Sequence, residues 1–200
     1  MELLHKINKD GLIILNEILE ARGLPGSDNY YYKRFLKNEF LNNNDIKIIS
    51  YIDKNISKDI SIFEPGSGYS QVPLALSVLG YKTFALEVRE DRYEGSLYLK
   101  DKFSKIYGSL DNFEIIMGRY PQDAPDCKLI ITNNFASTFN KKNENSIINT
   151  FKRFDYCLLD VGLFGFRRSD QDVAAFLSKI AKMGFSYEKC FDNFYIIGNI

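Results

Sequence analysis

The chain has 200 residues, 26 Lys and Arg balanced by 26 Asp and Glu, three cysteines and one histidine; this is enough for one α/β domain with a sizeable core and short for two. The charge balance gives no overall field to draw in nucleic acid or an anionic membrane, and a lone His5 argues against a His-based metal site or a Ser-His-Asp triad, so no metal is expected. No apolar run reaches membrane-spanning length, the opening MELLHKINKDG lacks a signal-peptide layout, and Cys127, Cys157 and Cys190 are odd in number, far apart and each beside a strand-like run, which together predict a cytoplasmic protein with reduced thiols.

Helical character fills residues 1–59. Leu3, Leu4, Ile7, Leu12, Ile14, Leu15, Ile18 and Leu19 recur at spacings close to one helical face, and Gly23 with Pro25 supplies a stop. After the linker GLPGSDN, the run YYYKRFLKNEFL predicts a second helix with Tyr31, Phe35 and Phe40 on a shared face. Asp45 is then read as opening a third helix, IKIISYIDKNI. Aromatic stripes at helical spacing more often build core than site.

The stretch from Ile60 to Val88, ISIFEPGSGYSQVPLALSVLGYKTFALEV, is a βαβ unit with a ligand loop at its first turn. Gly66 and Gly68 let the backbone turn sharply and approach a bound molecule closely. Glu87 falls at the end of the second strand, from where a carboxylate accepts hydrogen bonds from ribose hydroxyls. A dinucleotide fingerprint wants a third glycine where Gln71 stands, so that pattern fails. Glu64, two residues before Gly66, repels a pyrophosphate and attracts a cation. S-adenosylmethionine, which carries an ammonium and a sulfonium, meets both requirements. This order of acid, glycines and second-strand acid resembles the first two motifs of the class I methyltransferases.

Beyond Glu87, REDRYEGSLYLKDKFSKIY is a charged amphipathic helix with Tyr93, Leu97 and Phe103 expected inward. Strands are predicted at 113–117, 128–132 and 156–161, helices at 142–152 and 169–183, and a closing β-hairpin turns about Asp192 and Asn193. Five alternations of strand and helix ending in a hairpin predict an α/β, Rossmann-like, doubly wound seven-stranded sheet with an antiparallel last strand, over residues 60–200, under an N-terminal helical cap, residues 1–59.

Ligands of such sheets bind beyond the carboxyl ends of the strands, which singles out the loops at 64–70, 87–89, 118–123 and 133–139. At the last of these Asn133 is placed to accept a hydrogen bond from an incoming nucleophile, or, in the blander alternative, to form a turn. Asp123 and Asp126 are alternatives to Arg119 for the adenine edge, Asp160 is a lone strand-end carboxylate, and Arg167 and Arg168 open the last helix near the acceptor side.

The pieces FEPGSGYSQV, ALEV and ITNNFA, in that order, resemble the Dot1-type methyltransferases over residues 60 to about 140. The resemblance implies S-adenosylmethionine held by Glu64, Gly66, Ser67, Gly68, Gln71 and Glu87, with Asn133 and Phe135 near the reacting methyl. In methyltransferases of the class I plan such N-terminal helices lie across the cofactor cleft, which makes Tyr30, Tyr31 and Tyr32 candidate lid residues and Tyr30, Tyr31 and Phe35 candidates for acceptor binding. The chain departs from that pattern: Glu64 replaces an aspartate, Ser70 the third glycine, Ser137 an aromatic of the lysine channel, and Arg119 an acid that contacts the adenine amine. The cofactor therefore carries over and the substrate does not. The expected activity is methyl transfer to nitrogen or oxygen of a small-molecule or protein acceptor, without nucleic acid or membrane partners and with the oligomeric state open. The alternative is a non-catalytic module that binds the cofactor and serves regulation or scaffolding, and a nicotinamide-dependent reductase is a distant third.

Overall fold

The computed structural model describes residues 2–21, 29–133, 144–161 and 169–199. Three helices come first, α1 (Glu2–Ala21), α2 (Asn29–Leu36) and α3 (Asn43–Asn55). The βαβ unit follows as β1 (Ile62–Pro65), α4 (Gln71–Val78) and β2 (Thr83–Glu87). Then come α5 (Glu90–Tyr107), β3 (Phe113–Met117), β4 (Leu129–Thr132), α6 (Glu144–Phe151), β5 (Tyr156–Asp160), α7 (Asp170–Lys182) and the hairpin β6 (Phe185–Phe191) and β7 (Phe194–Asn199).

The strands form one sheet in the order β3-β2-β1-β4-β5-β7-β6. Neighbouring strands are parallel from β3 through β5, and β7 runs antiparallel between β5 and β6. The order reverses direction at β1, whose two neighbours are β2 and β4, and the crevice above that reversal is where an open α/β sheet takes its ligand. The strands β1, β2 and β4 are buried along their whole length, as continuous apolar runs covered on both faces require.

Side-chain alternation divides the apolar interior in two. On one face Ile62, Ala85, Ile131 and Leu158 meet Leu74 and Leu76 of α4, Leu99 and Phe103 of α5, Ile48, Ile49 and Ile52 of α3, and Ile7, Ile14, Leu15 and Leu19 of α1. On the other, Phe63, Phe84, Ile130 and Leu159 meet Ile148 and Phe151 of α6 and Phe176, Leu177 and Ile180 of α7. The first and third helices thus share one continuous core with the sheet.

Several local expectations shift. Phe40 is fully buried but lies past the end of α2, beyond a left-handed Asn38, so it shares no helical face with Tyr31 and Phe35. Asn42 caps α3, with Asp45 as its reciprocal partner three residues on, so Asp45 stands inside the helix it was expected to open. In α5 the inward positions are Gly95, Ser96, Leu99 and Phe103, whereas Leu97 is exposed. A serine won over a leucine there because Ser96 has hydrogen-bonding work on the glycine loop. The hairpin turns at Asp192, which is left-handed, as expected. The proposed stop at Gly23 and Pro25 lies outside the described residues.

Candidate functional site

The turn after β1 is a chain of left-handed residues, Gly66 (φ 62°), Gly68 (φ 60°) and Ser70 (φ 58°). Ser70 bears that conformation despite its Cβ, at the position where the Dot1-type pattern has its third glycine, and its side chain accounts for the choice. Ser70 Oγ donates to Ser96 Oγ at 3.0 Å, Ser96 Oγ donates to the Gly68 carbonyl at 3.2 Å, and the Oγ atoms of Ser67 and Ser70 are 3.2 Å apart. Ser67 N–H donates to the Leu86 carbonyl at 3.1 Å. Three buried serines and β2 therefore tie the loop to α5. Gln71 opens α4 directly behind it.

Glu87 closes the loop from the other side. Its Oε2 accepts from Gly68 N–H at 2.9 Å, and its Oε1 accepts from Val88 and Arg89 N–H at 2.9 Å each. The carboxylate is buried and braces the glycine loop; of its roughly four lone-pair positions about one is left for a ligand. Glu64, at the end of β1, is also buried. Burial, and then the negative charge of Asp45, raise its carboxyl well above the ordinary carboxylate range.

On the β4 side Asn133 is buried at 2 % exposure, and its Nδ2 donates to Asp45 Oδ1 at 2.9 Å. Asp45 Oδ2 in turn pairs with Arg34 Nη2, which also donates to the Phe40 carbonyl at 2.6 Å. This brings α2, α3 and β4 to one point. Sequence reasoning missed Arg34 and this role of Asp45. The box from Asn42 to Asp45 was a readable signal for the helix start, but nothing local announces a bond spanning 88 residues.

Tyr31 is buried, with its ring against Tyr69 at 4.5 Å between centroids and the Arg92 guanidinium 5.2 Å from the ring centre. Its hydroxyl comes so close to Gly68 that a Cβ there would stand 1.6 Å from it. Tyr30 is exposed and Phe35 is half-buried against the core. Arg119 is exposed, its backbone N–H held by Asp123 Oδ2 at 2.7 Å. The loop carrying it joins the cleft through Gly118 N–H, which donates to the Glu87 carbonyl at 3.1 Å. Asp126 is exposed and Asp160 buried. Phe135, Ser137, Arg167 and Arg168 lie outside the described residues. The structure thus brings Glu64, Gly66, Ser67, Gly68, Gln71, Glu87 and Asn133 together over β1, β2 and β4, with Tyr31 above them.

Three buried polar atoms in this region lack a hydrogen-bond partner among the described residues, Arg34 Nε, Gln71 Nε2 and Thr132 Oγ1. Each costs about 1–3 kcal/mol while unsatisfied, a cost that water or a ligand with matching polar atoms relieves. Among the described residues no group of three or more His, Cys, Asp and Glu side chains is arranged to hold a metal ion, and no helix is long and apolar enough to cross a membrane. Burial raises the thiols of Cys127, to about 12, and of Cys157, which suits inert packing.

No protein-family model and no curated protein matches the sequence. Solved structures do match the fold. Magnesium protoporphyrin IX methyltransferase (ChlM) from Synechocystis PCC 6803 with bound SAM aligns over 96 % of this chain and 97 % of its own, at 9 % identity and a TM-score of 0.66. The same enzyme with bound SAH aligns over 78 % and 82 %, at 9 % identity and 0.60. A TehB-like SAM-dependent methyltransferase from Corynebacterium glutamicum aligns over 87 % and 98 %, at 14 % identity and 0.60. The chain has the Rossmann-like fold of the class I methyltransferases; at these identities the likeness establishes the fold.

Proposed function

We propose that the protein is an S-adenosylmethionine-dependent methyltransferase that acts on a nitrogen or oxygen of a small-molecule or protein acceptor. The observation that carries this reading is the buried polar cluster at the switch point of the sheet. Glycine backbone, two buried carboxyl groups and three unsatisfied buried polar atoms gather there, a set that apolar surroundings would leave unpaired. The residues fit the cofactor. Glu64 suits its ammonium, Arg34 Nε and Gln71 Nε2 suit acceptor atoms, Glu87 suits a ribose hydroxyl, and Gly66 and Gly68 keep side chains off the loop. When bound, the cofactor supplies an electrophilic methyl group on a sulfonium. Asn133 then orients the incoming nucleophile, and the tight packing of the cap onto the sheet keeps water away; positioning and electrostatics are the chief means of acceleration. The Dot1-type likeness of the glycine loop and of ITNNFA supports the same reading, with Phe135 beside the methyl and Tyr30, Tyr31 and Phe35 on the acceptor side.

Calorimetric titration with S-adenosylhomocysteine tests it. Saturable binding is expected, and no binding by the intact protein sinks the reading. One observation favours the second reading, a non-catalytic module. The Tyr31 hydroxyl lies over Gly68, so a ligand laid on the loop must contact it or push α2 aside. Transfer of a labelled methyl group from S-adenosylmethionine to any component of a cell extract excludes the inert module.

A further inference from the structure

Asp45 joins the cap to the candidate reacting end of the cleft. Its Oδ2 accepts from Arg34 Nη2 and from the backbone N–H of Asn42 at 3.0 Å, and its Oδ1 accepts from Asn133 Nδ2 at 2.9 Å. All three side chains other than that of Asn42 are buried. A carboxylate paired with a guanidinium offers lone pairs and no proton. It therefore selects the nitrogen of the Asn133 amide and turns the oxygen to the other side.

Resting on the methyltransferase reading, we infer that Asp45 is the positioning residue of the site: it sets Asn133 so that Oδ1 is what the amide presents to the acceptor, which restricts the acceptor to a nucleophile carrying an N–H or O–H. An amide reversed in this place would present Nδ2, bind the nucleophile's lone pair and compete with its attack. An amide presenting oxygen takes the hydrogen side and leaves the lone pair aimed at the methyl carbon. Amines, amides, guanidines and hydroxyls fit. Carbanions and thiolates do not.

The orientation is measurable without an acceptor. Side-chain amide resonances of Asn133, assigned by their loss in Asn133→Asp, are expected to include one proton shifted by the carboxylate and exchanging about tenfold more slowly than in Asp45→Asn. Asp45→Asn keeps the shape and the acceptor of the α3 cap, and its melting curve verifies that it is folded. The exchanged pair, Asp45→Asn with Asn133→Asp, restores one carboxylate near Arg34 and moves the protected amide to residue 45. With methyl-labelled S-adenosylmethionine and a cell extract, the wild type should label nitrogen or oxygen. Asp45→Asn should lose more than about tenfold in transfer measured at saturating S-adenosylmethionine, and the exchanged pair should recover part of it. Free exchange of the Asn133 amide in the wild type, an unchanged amide in Asp45→Asn, or label on carbon or sulfur overturns the inference. Failure of the wild type to bind S-adenosylhomocysteine sinks the methyltransferase reading instead, and the amide measurement still decides the orientation.

Discussion

The two halves of the cleft are held in different ways. Over β1 and β2, a carboxylate and three serines bond mainly to backbone and to each other, and Glu87 reaches back only 19 residues to Gly68. Over β4, the reacting-end candidate Asn133 is held by Asp45 from 88 residues away, and Asp45 by Arg34 from another helix. The first half is built by one βαβ unit with Ser96 of the helix that follows it, and the second by the docking of the cap. Single changes in the cap should therefore tell more on the acceptor half than on the cofactor half, while the shared core ties the folding of both to it.

The largest expected effect is from removing the cap itself. Deleting residues 1–42 takes Ile7, Ile14, Leu15, Leu19, Phe40 and Leu41 out of the shared core. At about 1.5–3 kcal/mol for each buried apolar side chain, the loss is on the order of the whole stability of a domain. No cooperative melting transition is expected by circular dichroism. A cooperative transition with retained S-adenosylhomocysteine binding would show that the cofactor half folds alone and would sharpen the contrast further.

Next comes Glu87→Ala, which breaks the first half from inside. It removes the acceptor for three backbone N–H groups and the proposed partner for the ribose, and charged hydrogen bonds are worth about 1.5–3 kcal/mol each. Calorimetry should show S-adenosylhomocysteine affinity reduced by about a hundredfold or more. Affinity unchanged within a few fold would leave Glu87 with its bracing role alone.

The same contrast explains what was readable in the sequence. The acid, glycines and second-strand acid lie within one βαβ unit, where spacing and strand periodicity translate directly into geometry, and the seven-stranded order follows from alternation and handedness. The serine knot was hidden because Ser96 sits in a helix whose apolar pattern pointed to Leu97. The Arg34–Asp45–Asn133 link was hidden for a stronger reason. Its members lie in three elements whose relative placement is set by packing, and a buried arginine among YYYKRFL reads as a solvated one. Asn133 was singled out by its place at a strand end, without its hydrogen-bond partner Asp45.

Asn133→Ala probes that partner. It should leave S-adenosylhomocysteine affinity within a few fold and reduce methyl transfer by about a hundredfold, the scale for one positioned hydrogen-bonding group. It also removes a donor from buried Asp45, so a loss of about 1–3 kcal/mol in stability is expected by denaturant titration. Unchanged transfer would reduce Asn133 to a turn residue.

The smallest effect, and the one that tests whether the halves share an electrostatic boundary, is the pH response of Glu64. Its carboxyl is raised in the folded chain by burial first and by Asp45 second, so between the unfolded value of about 4.3 and its raised folded value the native state holds more protons than the unfolded one. In that window stability falls as pH rises, and the contribution is most favourable below about 4.3. Glu64→Gln removes the slope, so the variant should gain on the wild type in melting temperature as pH climbs through the window. Cofactor binding should move the opposite way. A bound ammonium favours ionised Glu64, so the wild type should release a proton on binding S-adenosylhomocysteine and bind it more tightly as pH rises, while Glu64→Gln should bind more weakly and without that release. Titrations in buffers of different ionisation enthalpy measure the proton directly. Equal proton release by both proteins would place the ammonium elsewhere and break the assignment of Glu64 to the cofactor half.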